Sequence, residues 1–392
     1  MMLQTGVPKL LVACAVAGLC AWATAQTLSP QHWQTEMEAA RQSHTYTLLQ
    51  PKLQQAAQAG DAVAQFYLGL LYEDGLGVKQ DFQVARKWYE LAAVQGHAKA
   101  QNNLGWLYQN GWGVKQDFVQ ARQWFERAAQ QDLVTAHTNL AYLYEYGLGV
   151  AQNLEAARKG YEYAAVRGEA IAQYNLGDWY QRHQQDYQTA RRWYEAAAQQ
   201  NFAPAQNNLG MLYQQGWGVK QDYQAARQWF ERAAAQGDAG GQNNLAYLYW
   251  QGLGVEKNIP LAKQLFEQSA AQDYALAKSN LGMMYWQGID GKQDIVLAKS
   301  WLEQAAKQGE AQGQANLGSW YVLEKEDFRT ARKWFERAAA QGEALAEYYL
   351  GVLYENGKGV KRDLSAARAW YEKAAAQNLP EALEKLKNWE QP

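Results

Sequence analysis

Acid–base and metal chemistry would fall first to the five histidines, His32, His44, His97, His137 and His183. An imidazole titrates near neutral pH, and a structural metal site needs several His or Cys ligands at close spacing. None of the five has such a neighbour, and both cysteines, Cys14 and Cys20, lie within the first 25 residues. Nucleophilic catalysis is no better served. None of Ser29, Ser43, Ser269, Ser279, Ser300, Ser319 and Ser365 has a Lys three residues later, and neither Gly-x-Ser-x-Gly nor His-Glu-x-x-His occurs. Asp178 with His183 is the one acid and base pair at an irregular point of the chain, and so the one place to look for a hydrolytic site. The expectation is a non-enzyme with no catalytic residues, no metal site and no cofactor.

Two further patterns imitate chemistry. Gly75-x-Gly77, Gly111-x-Gly113 and Gly216-x-Gly218 stand before helices as phosphate-cradling loops do. Such a loop belongs to a strand-loop-helix unit, and no strand precedes these, so they read as turns. A basic residue also stands four positions before a Glu nine times, from Arg86 and Glu90 to Arg368 and Glu372. A catalytic carboxylate is needed once or twice. A pair that recurs throughout serves the architecture, as an i, i+4 ion pair or a bridge between neighbouring units.

What positions all these residues is a repeat. Gln101 to Gln131 returns almost letter for letter at Gln206 to Gln236, and weaker copies fill nearly everything else. A leucine followed by Gly or Ala marks the register: Leu68, Leu104, Leu140, Leu176, Leu209, Leu245, Leu281, Leu317 and Leu350. The steps are 36 residues with two of 33, so nine units group into a larger period of 141. Self-similarity at such a period means stacked supersecondary units and overrides a domain count taken from the length of 392 residues.

Each unit reads as two helices. Apolar residues at spacings of three and four define the first, such as Leu68, Leu71 and Tyr72. The glycine pair supplies the left-handed stop. Asp81, Asp117, Asn153, Asp186, Asp222, Asn258, Asp294, Asp327 and Asp363 then stand where a side-chain oxygen caps the second helix, each worth about 1 kcal/mol. That helix carries a face of Ala, Trp and Tyr or Phe, and Trp229 is expected to be a buried member of it. Residues 26–60 read as N-terminal capping helices and 380–392 as a C-terminal capping helix, around nine repeats at 61–379.

Residues 1–25 have the form of a secretory signal peptide: Lys9, an apolar run from Leu10 to Trp22, then Ala23-Thr24-Ala25 before the expected cut. Removal leaves no cysteine and 36 basic against 39 acidic residues. That balance gives no reason to expect a nucleic-acid partner, and no later stretch is long and apolar enough to span a bilayer.

Leu-Gly-x-x-Tyr, Gly-x-Gly-Val, the capping Asp, Ala-x-x-Trp-Tyr/Phe and Ala-Ala-x-x-Gly together resemble the Sel-one-like repeat, a relative of the tetratricopeptide repeat. The match runs from about Asp61 to Gln377. It departs at the units of Leu176 and Leu317, which lack the glycine loop, at Gly160, which replaces a Trp, and at Gly288 to Gly291. The resemblance implies an all-α, right-handed α-solenoid and an adaptor role in signalling, envelope maintenance or host contact. Some exported relatives have been discussed as β-lactam-hydrolysing or cell-wall enzymes, the alternative from another class.

In such solenoids the first helices line the concave surface, so residues that vary at fixed register there are candidates for recognition. Two after the marker stand Leu70, Trp106, Tyr142, Asp178, Met211, Tyr247, Met283, Ser319 and Val352; two before it are Asn102 and Asn207, and five after it Trp250 and Trp286. Asn102, Trp106, Tyr142, Asp178, Asn207, Tyr247, Trp250 and Trp286 are the expected partner-binding set. Aromatic anchors with amides beside them suit a peptide or protein partner. The expectation is thus a monomeric, periplasmic or secreted scaffold.

Overall fold

The computed structural model describes residues 30–289 and 291–389. The expected leader, Asp290 in the irregular loop and residues 390–392 of the expected C-terminal cap lie outside the described residues. The described chain forms two compact halves, 30–200 and 201–389.

The N-terminal half contains α1 (Pro30–Ser43), α2 (Tyr46–Gln58), α3 (Ala62–Asp74), α4 (Phe82–Val94), α5 (Ala98–Asn110), α6 (Phe118–Ala129), α7 (Val134–Tyr146), α8 (Leu154–Ala165), α9 (Ala170–Trp179), continued by a π turn at Tyr180–Gln184, and α10 (Tyr187–Gln199). The C-terminal half contains α11 (Ala203–Gln215), α12 (Tyr223–Ala235), α13 (Ala239–Gln251), α14 (Ile259–Ala271), α15 (Ala275–Gln287), α16 (Ile295–Lys307), α17 (Ala311–Lys325), α18 (Phe328–Ala339), α19 (Ala344–Asn356), α20 (Leu364–Ala376) and α21 (Pro380–Trp389). Within each half every helix packs on the next, and neighbouring first helices such as α11 and α13 or α15 and α17 also touch. This is an all-α solenoid of stacked helix pairs.

The caps explain why the second helices begin where they do. All nine expected Asp and Asn residues accept from first-turn amides, as Asp81 does from Gln83 N and Val84 N and Asn258 from Leu261 N. The loop glycines are needed for backbone reasons. Gly113 has φ 64°, and a Cβ there would lie 2.4 Å from the carbonyl carbon of Phe82, at the start of the preceding second helix. Where the glycine loop is missing, the chain finds other stops: the π turn ends on Gln185 at φ 53°, and α17 runs on to Glu326 at φ 49°.

Packing inside a repeat rests on one close approach. At Gly210, after the marker leucine, an added Cβ would meet the Phe230 ring at 2.6 Å, so the ring lies flat on the backbone of the first helix. Tyr89, Phe125, Tyr161, Tyr194, Phe266, Phe335 and Tyr371 hold the same place and are fully buried. The residue one earlier is different, which corrects the expectation for Trp229. Trp229 is only half-buried, with the Arg232 guanidinium 4.6 Å from its ring centre. The recurring ion pairs are also partly exposed but lie two residues to either side of this position, on another side of the helix, for example Arg158–Glu162 at 2.8 Å and Arg191–Glu195 at 3.1 Å.

Candidate interaction surface

The position two after the marker is where the first helices keep a partly open aromatic. Trp106, Tyr142, Asp178 and Tyr247 are each half-buried. Trp106 meets Trp112 edge-on at 4.4 Å, Tyr142 lies 4.7 Å from Tyr146, and Tyr247 meets Trp250 edge-on at 6.3 Å. Each ring rests against an aromatic of its own repeat and keeps part of its surface exposed. Such rings are ready anchors, because little rotamer freedom remains to be lost on binding.

Two residues before the marker the outcome differs from expectation. Asn102 is 8% exposed, and its Oδ1 accepts from Nδ2 of Asn139, 2.9 Å away in the next repeat. Asn207 accepts in the same way from Asn244 at 2.8 Å, Asn243 from Asn280 at 2.9 Å, and Ser279 Oγ from Asn316 at 3.0 Å. The carbonyls of Asn102 and Asn207 therefore tie repeats together and are not free to read a partner. A parallel device went unseen in the sequence. Gln101 Nε2 donates to the Ala93 carbonyl at 3.0 Å while its Oε1 accepts from Gln131 at 2.8 Å, and Gln206 accepts likewise from Gln236. The recurrence of these glutamines three before the marker was the available signal.

Five residues after the marker, Trp250 and Trp286 prove to be core. They are 8% and 9% exposed, Trp250 set edge-on to Phe266 and Trp286 donating through Nε1 to Glu324 at 2.7 Å. The physical reason is a match between this position and the ring of the second helix. Wherever that ring is Tyr, an acceptor faces it: Glu73 for Tyr89, Glu145 for Tyr161 at 2.8 Å, Gln181 for Tyr194 at 3.1 Å, and Glu355 for Tyr371 at 2.7 Å. Opposite a Phe the position carries Gln109, Gln214, Trp250 or Val322, and opposite Leu302 it carries Trp286. A buried phenol left unpaired would cost about 1–3 kcal/mol.

This matching rule is testable in two repeats. Gln109 Oε1 is buried with no hydrogen-bond partner among the described residues, so Phe125→Tyr supplies the missing donor. We expect it to leave stability unchanged or raise it by up to about 1 kcal/mol. Phe335→Tyr, opposite Val322, is expected to lose about 1–3 kcal/mol. Denaturant unfolding of the two variants checks the difference, and equal effects would remove the rule.

Asp178 and His183 do not form a dyad. The Asp178 carboxylate is held by Arg182 Nε at 2.7 Å, and His183 Nε2 lies 3.0 Å from Glu145 in the preceding repeat. Arg182 Nη2 also reaches Glu145 at 2.8 Å and the Tyr146 hydroxyl at 2.9 Å. The π turn thus folds this loopless repeat down onto its neighbour. Two further histidines, His97 and His137, are also built into the packing, whereas His44 is exposed. His97 Nδ1 caps α5 by accepting from Ala100 N at 3.1 Å, and its ring stacks on Phe66 at 4.7 Å. Burial, then the charge of Lys99, lowers the His97 imidazole to about 4, which keeps that nitrogen available as an acceptor. His137 lies against Tyr163, the rings tilted and their centres 3.9 Å apart. Among the described residues no cluster of three His, Cys, Asp or Glu is placed to hold a metal ion, and no helix is long and apolar enough to cross a membrane.

No curated protein matches the chain. Among solved structures it is similar to a protective antigen present in uropathogenic Escherichia coli strains that displays an SLR fold. The two are 34% identical with a TM-score of 0.56, over 85% of this chain and 80% of that one. A Sel1 repeat protein from Oxalobacter formigenes is 27% identical, with a TM-score of 0.45 over 96% and 98% of the two chains. An immunity protein from Pseudomonas aeruginosa is 20% identical, with a TM-score of 0.42 over 53% of this chain and 81% of that one. The Sel1 repeat model matches at 62–97, 98–133, 134–167, 170–202, 203–238, 239–274, 275–310, 311–343 and 344–379. The stacked helix pairs are a scaffold suited to protein–protein interaction, and with nine tandem matches the chain belongs to the Sel1 repeat family.

Proposed function

We propose that the chain is an exported scaffold that holds a peptide or protein partner against its first-helix face. The observation that carries this reading is the contrast at one register position. Trp106, Tyr142 and Tyr247 are large, pre-fixed and half-open, whereas the frame around them repeats. Interfaces draw most of their binding energy from a few such aromatics. Export rests on the Lys9 to Ala25 leader pattern and fits the description of the 34% identical relative as a protective antigen.

Site-specific photocrosslinking tests it. A benzophenone side chain placed at Trp106, Tyr142 or Tyr247 is expected to give a defined adduct in an envelope extract. The same group at Val296, which is 82% exposed on the second helix α16, is expected to give none. Identical adducts from both faces, or none from the three aromatic positions in folded protein, would overturn the reading.

A further inference from the structure

Three repeats pair a second-helix tyrosine with a glutamate five residues after the marker, and two of them add a cation. Glu145 is met by Arg182 from the π turn at 2.8 Å, and Glu355 by Lys385 from α21 at 2.9 Å. Glu73 on α3 accepts from the Tyr89 hydroxyl but has no cation among the described residues. Asp74 beside it is exposed and has none either. Both carboxylates lie in the last turn of α3, where the helix dipole itself favours positive charge. Burial, opposed by the Tyr89 hydroxyl and reinforced by the charge of Asp74, pushes the Glu73 carboxyl up to about 7.

We infer that the partner supplies the missing cation, an arginine side chain set over the end of α3 between Glu73, Asp74 and the Trp106 ring. The inference rests on the first-helix face being the partner surface, and it names the chemistry read in its first two repeats. The occupant is read from Arg182. That guanidinium bridges Glu145 to the Tyr146 hydroxyl at 2.9 Å, and its Nε donates to Asp178 at 2.7 Å. In register, Glu73 stands for Glu145, Asp74 for Tyr146 and Trp106 for Asp178. The place of Arg182 falls to Asn110, which is exposed and donates back to the Trp106 carbonyl at 2.8 Å. Two carboxylates and a half-open indole are thus present without the guanidinium. A guanidinium suits all three, since its fork reaches two acceptors at once and its flat face stacks on an aromatic ring. A carboxylate would be repelled, and an apolar side chain would cover Glu73 without compensating its charge.

The test needs no knowledge of the partner. N-acetyl-L-argininamide and its uncharged isostere N-acetyl-L-citrullinamide are titrated against the full chain by saturation-transfer NMR in low salt. At pH 8 the arginine probe is expected to bind with Kd on the order of 1 mM, as a fragment of this size allows. It should bind about tenfold tighter than the citrulline probe, the yield of one charge-assisted contact with a half-buried carboxylate. The probe binds ionised Glu73, so lowering the pH from about 8 to about 6 should weaken it about tenfold. Glu73→Gln keeps an acceptor for Tyr89, as Gln181 does for Tyr194 at 3.1 Å, and should abolish both the preference and the pH dependence. Asn110→Arg places a guanidinium in cis and should abolish probe binding with helicity retained. Glu355→Gln, in a repeat that already holds Lys385, should leave binding unchanged. No preference for the arginine probe in the wild type, a preference that survives Glu73→Gln, an equal loss in Glu355→Gln, or undiminished binding to folded Asn110→Arg would each overturn the assignment. Crosslinking at Tyr142 and Tyr247, outside this site, tests the scaffold separately, so failure of the arginine site and failure of the scaffold are distinguishable.

Discussion

Phe230→Ala is expected to cost the C-terminal half about 3–5 kcal/mol, the range for emptying a buried aromatic site. Phe230 is fully buried within a cluster that includes Ala226, Leu248, Ala262 and Phe266, and its ring rests on the α11 backbone at Gly210. Collapse to fill the space is limited, because one wall is the α11 backbone at Gly210. Trp229→Ala, one residue away, removes a half-exposed ring and its contact with Arg232, and is expected to cost only about 1–2 kcal/mol. A repeat array unfolds in pieces, so a single melting midpoint is the wrong readout. Amide exchange followed by peptide is the right one: in Phe230→Ala, protection is expected to fall first in α11 to α13. If Trp229→Ala costs more than Phe230→Ala, the account of which ring carries the core is wrong.

That pair of residues also shows what a sequence of this kind discloses. The frame is legible because a repeat compares itself with its own copies: the marker leucines, the caps and the loop glycines are visible without coordinates. All nine capping residues accept from first-turn amides as their types require. Which of two adjacent aromatics faces inward is not legible in the same way, since Trp and Tyr or Phe recur together and a rotation of about 100° separates them.

The recognition positions were harder for a different reason. Variation between copies marks a residue as free of the frame only when nothing in the same copy varies with it. Trp250 and Trp286 pack inside the core, Trp250 edge-on to Phe266, so their variation belongs to the frame. Asn102 and Asn207 act between repeats through Asn139 and Asn244, one position out of register, so neither residue's column alone reveals the contact. Trp106, Tyr142 and Tyr247 stay half-buried, each against an aromatic of its own repeat.

Glu145 gathers three polar neighbours on one buried carboxylate, and Glu145→Ala is expected to cost the N-terminal half about 3–5 kcal/mol. Glu145 is 3% exposed, and it accepts from the fully buried Tyr161 hydroxyl at 2.8 Å and from Arg182 at 2.8 Å, with His183 at 3.0 Å. Burial and the charge of Glu145 together push the Tyr161 hydroxyl well above its usual range, so Tyr161 stays a donor at any working pH. Truncation leaves that donor in an apolar site and removes one of the two carboxylates on Arg182. Asp178→Ala is the control. It also takes a carboxylate from Arg182, but one that is itself partly exposed, and is expected to cost no more than about 1 kcal/mol. Glu145→Gln should fall between them, because an amide oxygen accepts from a phenol as Gln181 does from Tyr194. Adding Tyr161→Phe to Glu145→Ala removes the stranded donor and should restore about 1–2 kcal/mol. Denaturant unfolding of the four variants, with exchange protection in α7 to α9 as the local readout, orders these effects. A Glu145→Ala cost no larger than that of Asp178→Ala would mean that the π turn is held by something other than this carboxylate.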